Sequence, residues 1–266
     1  LIILSFYSVV LGWILSYVFS SFAALPTDPN VAGAAFDTLI TKDLGTQLLY
    51  HTLIAGTVVF IVLKGIKEGI EKINLILMPM LGLILAGLLF YAISLDSFDQ
   101  AVSFMFSADW SKINSDALLA ALGQAFFTLS LGVGTILTYS ASLPKEVNFV
   151  KSSMMVAIVD TSIALIAGLI IFSFLFEAGA PSAAGPGLVF ISLPVVFSGW
   201  GILGQVIAIS FFVALVFAGI TSAVSMIEPA LMFFIERYGI TRKKATILCG
   251  SIFYILGIVA LLSMSS

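Results

Sequence analysis

Apolar residues run in seven long blocks along the chain, and polar residues collect in the gaps between them. Crossing a bilayer takes about 20 mostly apolar residues. The pattern therefore predicts spanning helices at 1–22, 46–64, 72–95, 117–141, 152–176, 202–235 and 243–264. The sixth is too long for one straight crossing and is expected to extend into the cytoplasm. The fourth is interrupted near 130–134. Residues 178–200 are apolar but short and rich in Gly and Pro, so they predict a re-entrant or surface-lying outer hairpin that caps a pathway. An ordinary extracellular loop is the alternative on composition.

The basic residues set the direction. Lys64, Lys67 and Lys72 fall between the second and third blocks, and Lys145 and Lys151 between the fourth and fifth. Arg237, Arg242, Lys243 and Lys244 fall between the sixth and seventh, leaving only Lys42 and Lys112 for the alternate loops. Basic loops stay cytoplasmic. The other loops, with Asp28, Asp37, Asp43, Asp96, Asp99, Asp109 and Glu177, then face outward.

Composition agrees: 61% of residues are apolar and 9% charged, where a soluble domain has about 45–50% and about 25%. This is an integral membrane protein surrounded by lipid. A single Cys249 excludes a disulfide within the chain, and a single His51 leaves little for imidazole chemistry. No HExxH, nucleophile elbow or carboxylate pair with a His is present, so the chain does not read as an enzyme. A net charge of −3 without a basic run gives no reason to expect nucleic acid. Leu1 already lies inside an apolar block, so the chain reads as a piece of a longer protein; a complete small membrane protein is the alternative.

Polar residues inside the blocks carry the chemistry. The stretch FFTLSLGVGT (126–135) places Thr128, Ser130, Gly132 and Gly134 at mid-membrane, with Gln124 just before. Glycine there permits close helix packing, which is one reading. The hydroxyls beside the glycines favour another, in which the helix unwinds at Ser130–Gly134. Unwinding exposes carbonyls at a negative helix end and N–H groups at a positive one. Discontinuous transporter helices bind cations and carboxylates in this way. In FAGITSAVSMIEP (217–229), Thr221 and Ser222 lie three and four residues after Ala218. Helical geometry brings both hydroxyls beside the Ala218 carbonyl, an oxygen set suited to a small hard cation. Bonding back to their own backbone is the alternative. Asp160 lies within the fifth block, where a carboxylate is a functional hypothesis by default. Glu228 lies nearer the inner end, and Glu236 at the inner mouth.

Four stretches in register resemble the neurotransmitter:sodium symporters, in particular their bacterial amino-acid members. They are KGIKEGIEKINLILMPML (64–81), GQAFFTLSLGVGTILTYSA (123–141), AGPGLVFISLPVVF (184–197) and FAGITSAVSMIEP. The resemblance implies an all-α membrane bundle of the leucine-transporter inverted-repeat type, with this chain holding helices three to nine. It implies that Tyr7, Phe127, Ser130, Val133, Ser222 and Met226 line the substrate pocket. Tyr7 would meet the substrate carboxylate and Phe127 would close as a lid. Thr128, Asp160, Ala218, Thr221 and Ser222 would bind sodium, and Glu236 would serve the cytoplasmic gate. Gln124 and Thr128 mark the anion site of animal members, but Ala164 replaces a serine found there, which weighs against chloride dependence. Val133 stands where the leucine transporter has phenylalanine, implying a roomier pocket.

The expectation is a sodium-coupled symporter of a neutral amino acid or similar zwitterion in a bacterial inner membrane, working by alternating access. Coupling to protons through Asp160, or a transport-inactive receptor or accessory protein, are the alternatives.

Overall fold

The computed structural model describes residues 1–107, 110, 113–141, 147–180 and 185–265. Among these residues every regular element is helical. Helix α1 (Ile2–Ser20) crosses first. A short helix α2 (Pro29–Thr41) follows, started by Asp28, whose carboxylate accepts from the N–H groups of Asn30 and Val31, and by Pro29 in the first turn. Both are start signals, although the residues around them lie outside any apolar block. Helix α3 (Leu44–Leu63) begins at Asp43, which accepts from the Thr46 N–H at 3.0 Å. Hydrogen bonds from Thr46, side chain and backbone, hold the exposed Asp43 carboxyl below the usual carboxylate range.

A π-helical turn at Ile66–Glu71 leads into α4 (Lys72–Ile93). Helix α5 (Phe98–Phe106) is a second element lying between apolar blocks. The fourth block forms two pieces, α6 (Ser115–Thr128) and α7 (Thr135–Ala141). Helices α8 (Phe149–Glu177), α10 (Gly201–Tyr238) and α11 (Arg242–Met264) complete the long elements. Between α8 and α10, a π-helical turn (Leu188–Ser192) and the six-residue α9 (Leu193–Ser198) are too short to span. They pack on protein: Phe190 stacks on Phe36 at 4.8 Å, and its carbonyl accepts from the Tyr17 hydroxyl. At about 1.5 Å per residue, the 38 residues of α10 extend about 57 Å, well beyond a hydrocarbon core of about 30 Å.

The buried core is built on α10. On one side it meets α1, α3 and α11 through Leu4, Leu11, Val58, Val224, Ile227 and Phe253. On the other it meets α4, α8 and α9 through Phe174, Phe197 and Phe212. A histidine is buried beside the first cluster. His51 is fully buried on α3, with Nδ1 3.3 Å from the Ser8 hydroxyl and Nε2 3.2 Å from the Tyr254 carbonyl. Its ring stacks flat on Tyr254. This tie between α1, α3 and α11 accounts for the single histidine without any chemistry. A Cβ at Gly257 would collide with the His51 ring. Gly257→Val should therefore destabilise the protein by roughly 1–3 kcal/mol, as overpacking does, measurable as a lowered unfolding temperature in detergent. An unchanged midpoint would show that the imidazole is free to move.

Candidate functional site

The central cleft grows from the interruption between α6 and α7. At the end of α6, the Leu131 N–H turns back to the Phe126 carbonyl at 2.9 Å and the Ser130 N–H to Phe127 at 3.1 Å. The chain then leaves the helix through positive φ at Ser130 (53°), Gly132 (85°) and Gly134 (89°). Left-handed backbone is unfavourable by about 1–2 kcal/mol for a residue with a Cβ, so the two glycines make the break tolerable. Ser130 bears the strain, and such outliers concentrate at functional sites. Gly134 also brings the chain against α10, since a Cβ there would meet the Pro229 ring at 3.4 Å.

The break faces a cleft of about 540 Å³. Tyr7 from α1, Gln124, Phe127 and Thr128 from α6, Ser130 and Val133 from the break, Asp160 from α8, and Thr221, Ser222 and Met226 from α10 all line it. Candidates separated by more than 200 residues are thus brought to one cavity. Two candidates lie elsewhere. Ala218 is not on the cleft wall, and Glu236 is exposed at the inner end of α10.

Two oxygen clusters stand out, one on the cleft wall and one that reaches it through Thr221 and Ser222. The Thr128 hydroxyl lies 3.1 Å from both carboxylate oxygens of Asp160, linking α6 to α8. Among the described residues Asp160 has no Lys or Arg partner, so its carboxylate keeps accepting capacity. On α10, Thr221 and Ser222 donate to the Ala218 carbonyl at 2.9 and 3.0 Å. The hydroxyls thus bond back to their own backbone, and doing so brings both of their oxygens within 3.0 Å of the Ala218 carbonyl oxygen. Tyr7 on α1 and Ser222 on α10 line the same cleft. Phe127 is 66% exposed, and α6 has no buried residue.

Some cleft residues escaped sequence reasoning. Asn74 on α4 and Thr135 at the start of α7 line the cleft, and each has a buried side-chain oxygen without a hydrogen-bond partner. Asn74 carried a usable signal, an amide inside the apolar run INLILMP. Tyr139 donates to Ser225 at 3.2 Å below them, and Ser225 to the Thr221 carbonyl. Deeper still, Glu228 is fully buried and forms a two-pronged ion pair with Arg242, at 2.7 and 2.8 Å. Arg242 also donates to the Val62 carbonyl, so a residue read as a loop charge clasps α3, α10 and α11 together.

The profile of the sodium:neurotransmitter symporter family matches residues 39–265. The chain belongs to this family. It is 34% identical over 98% of its length to an uncharacterized sodium-dependent transporter of Bacillus subtilis, and 35% identical over 96% to one of Haemophilus influenzae. The crystal structure of MhsT in complex with L-phenylalanine superposes on 99% of this symporter-family chain, with a TM-score of 0.87 and 38% identity. The chain spans just under three fifths of the two curated relatives, 58% and 57%, and 60% of MhsT. The fold is therefore that of a leucine-transporter-type helical membrane bundle.

Proposed function

We propose that this chain carries the core of a sodium-coupled symporter for a neutral amino acid. The observation behind the proposal is that Thr128, Asp160, Thr221 and Ser222 line one cleft beside a broken helix, with Thr128 bonded to Asp160 and the two α10 hydroxyls bonded to the Ala218 carbonyl. Hydroxyl, carbonyl and carboxylate oxygens are what a small hard cation takes in place of water, and unwound helix ends serve the same purpose in transporters. The family's relatives named as sodium-dependent, and the amino acid bound to MhsT, support the reading.

In this scheme sodium bridges α6, α8 and α10 and holds the cleft in one arrangement. Tyr7 engages the substrate carboxylate, the break residues Ser130 and Val133 face its backbone and side chain, and Phe127 swings over it. A ligand shifts a conformational equilibrium only by its differential affinity for the states. Sodium and substrate must then raise each other's affinity equally. Removing one hydroxyl tests this at residue level: Thr221→Ala should raise the sodium concentration for half-maximal uptake several-fold, by losing an interaction of about 1 kcal/mol. An unchanged sodium curve would take Thr221 out of the site.

The function itself is tested with full-length protein in vesicles made from bacterial inner-membrane lipids, the membrane proposed for it. Labelled L-phenylalanine and L-leucine serve as probes. An inward sodium gradient should drive accumulation. Accumulation under a pH gradient without sodium would transfer the coupling to protons, with Asp160 as carrier. Binding without accumulation under any gradient would make the protein a receptor.

A further inference from the structure

A second cavity lies away from the central cleft, between the outward faces of α3 and α11. It is a groove of about 290 Å³. Ala55, Gly56 and Val59 form one wall, and Ile247, Gly250 and Ser251 the other. Its outer end is closed by Thr52 and Tyr254, whose hydroxyls lie 3.0 Å apart. The two glycines act differently. A Cβ at Gly250 would press on Val59, so the helices approach closely there. A Cβ at Gly56 would meet nothing within 4 Å, so the slot there is open.

Beyond the inner end of the groove, the helix ends carry lysines. Lys243 and Lys244 precede Ile247 by four and three residues and share its face of α11. Lys64 ends α3 on the same side, its Nζ 4.3 Å above the Phe60 ring. The bond from Arg242 to the Val62 carbonyl ties the end of α3 to the start of α11, the two helix ends that carry these lysines. Arg242 spends its charge on Glu228, whereas Lys243 and Lys244 are exposed and, among the described residues, have no acidic partner. Lysines in the first turn of a helix oppose its dipole. No side chain caps the first N–H groups of α11 either. Free N–H groups, a positive helix end and two lysines all favour an anion. The basic loops of the chain put this end at the cytoplasmic surface.

We propose that the α3–α11 groove binds one anionic phospholipid, with its phosphate among Lys243, Lys244 and Lys64 and one acyl chain along Gly56 and Gly250. Basic pockets between membrane helices at the cytoplasmic side recognise such head groups. The slot is too small for a helix, whose diameter with side chains is about 10–12 Å, so a single hydrocarbon chain is the occupant that fits.

The test uses purified full-length protein, delipidated in neutral detergent, with phosphatidylglycerol and phosphatidylcholine as probes. Phosphatidylglycerol should raise the unfolding temperature saturably and well above the effect of phosphatidylcholine, and native mass spectrometry should show one retained molecule per chain. In Lys243→Gln/Lys244→Gln that difference should vanish while the midpoint in phosphatidylcholine stays put. Gly56→Leu, which puts a side chain into the slot at a position where a Cβ meets nothing within 4 Å, should weaken phosphatidylglycerol binding at least tenfold with the lipid-free midpoint unchanged. The proposal is overturned if wild type shows no preference between the lipids, or if the preference survives both variants. A dimer that Gly56→Leu converts to monomer would also overturn it, because a second copy would then occupy the groove.

Discussion

Asp160→Ala should abolish sodium-driven uptake while leaving the fold in place. The two halves of this statement have separate reasons. Asp160 is only partly buried on α8, and its hydrogen-bond partner among the described residues is Thr128. Its loss opens no large cavity and strands no buried charge. For a cation in the cleft, however, the carboxylate is the full negative charge that the described residues put on the wall. An interaction with a charged group contributes about 1.5–3 kcal/mol, and each 1.4 kcal/mol is a factor of ten. Sodium affinity should fall by about ten- to a hundredfold, enough to stop uptake at ordinary sodium concentrations. Asp160→Asn keeps an oxygen without the charge and should fall between wild type and Asp160→Ala. Sodium titrations of uptake with the two variants decide it. If Asp160→Ala keeps the wild-type sodium dependence, Asp160 does not belong to the ion site.

Arg242→Ala should produce the largest loss of stability in the molecule. Glu228 is completely buried, and Arg242 meets both of its oxygens. Removing one partner of such a pair leaves a buried charge unpaired and costs about 3–5 kcal/mol. The Val62 carbonyl loses its donor as well. Replacing both partners with apolar residues is a different matter, because the desolvation of two ions is then no longer required. Glu228→Leu/Arg242→Leu should accordingly recover most of the loss seen in Arg242→Ala. Unfolding temperatures and the yield of monodisperse protein report both effects. A loss below about 1 kcal/mol in Arg242→Ala would mean that water reaches Glu228 and that the clasp is weak.

The helical bundle was legible because lipid leaves a chain few choices. Backbone groups must be satisfied within the segment, so long apolar blocks become helices, and the elements α1, α3, α4, α8, α10 and α11 begin and end within a few residues of those blocks. The break near 130–134 was legible for a related reason, since hydroxyls and glycines side by side are an unusual choice at mid-membrane. Helices α2 and α5 lie between the apolar blocks, where hydrophobic length gives no signal. Asp28 before Pro29 was a proper start signal that the apolar pattern hid. Glu228–Arg242 could not be paired from sequence: Gly239 turns the chain in the left-handed region and returns α11 alongside α10, and only that turn converts a loop arginine into a buried partner. The gathering of Tyr7, Asp160 and Ser222 at one cleft depends on tertiary packing, and here the family resemblance reached further than the residues alone.

Binding of a labelled neutral amino acid to purified full-length protein, in sodium chloride and in potassium chloride at equal ionic strength, tests the sodium coupling most directly. Saturable binding in sodium that is at least tenfold weaker in potassium, with substrate tightening sodium by the same factor, is the expected result. Equal affinity in the two salts would contradict it, because an ion that does not change substrate affinity cannot be coupled to it.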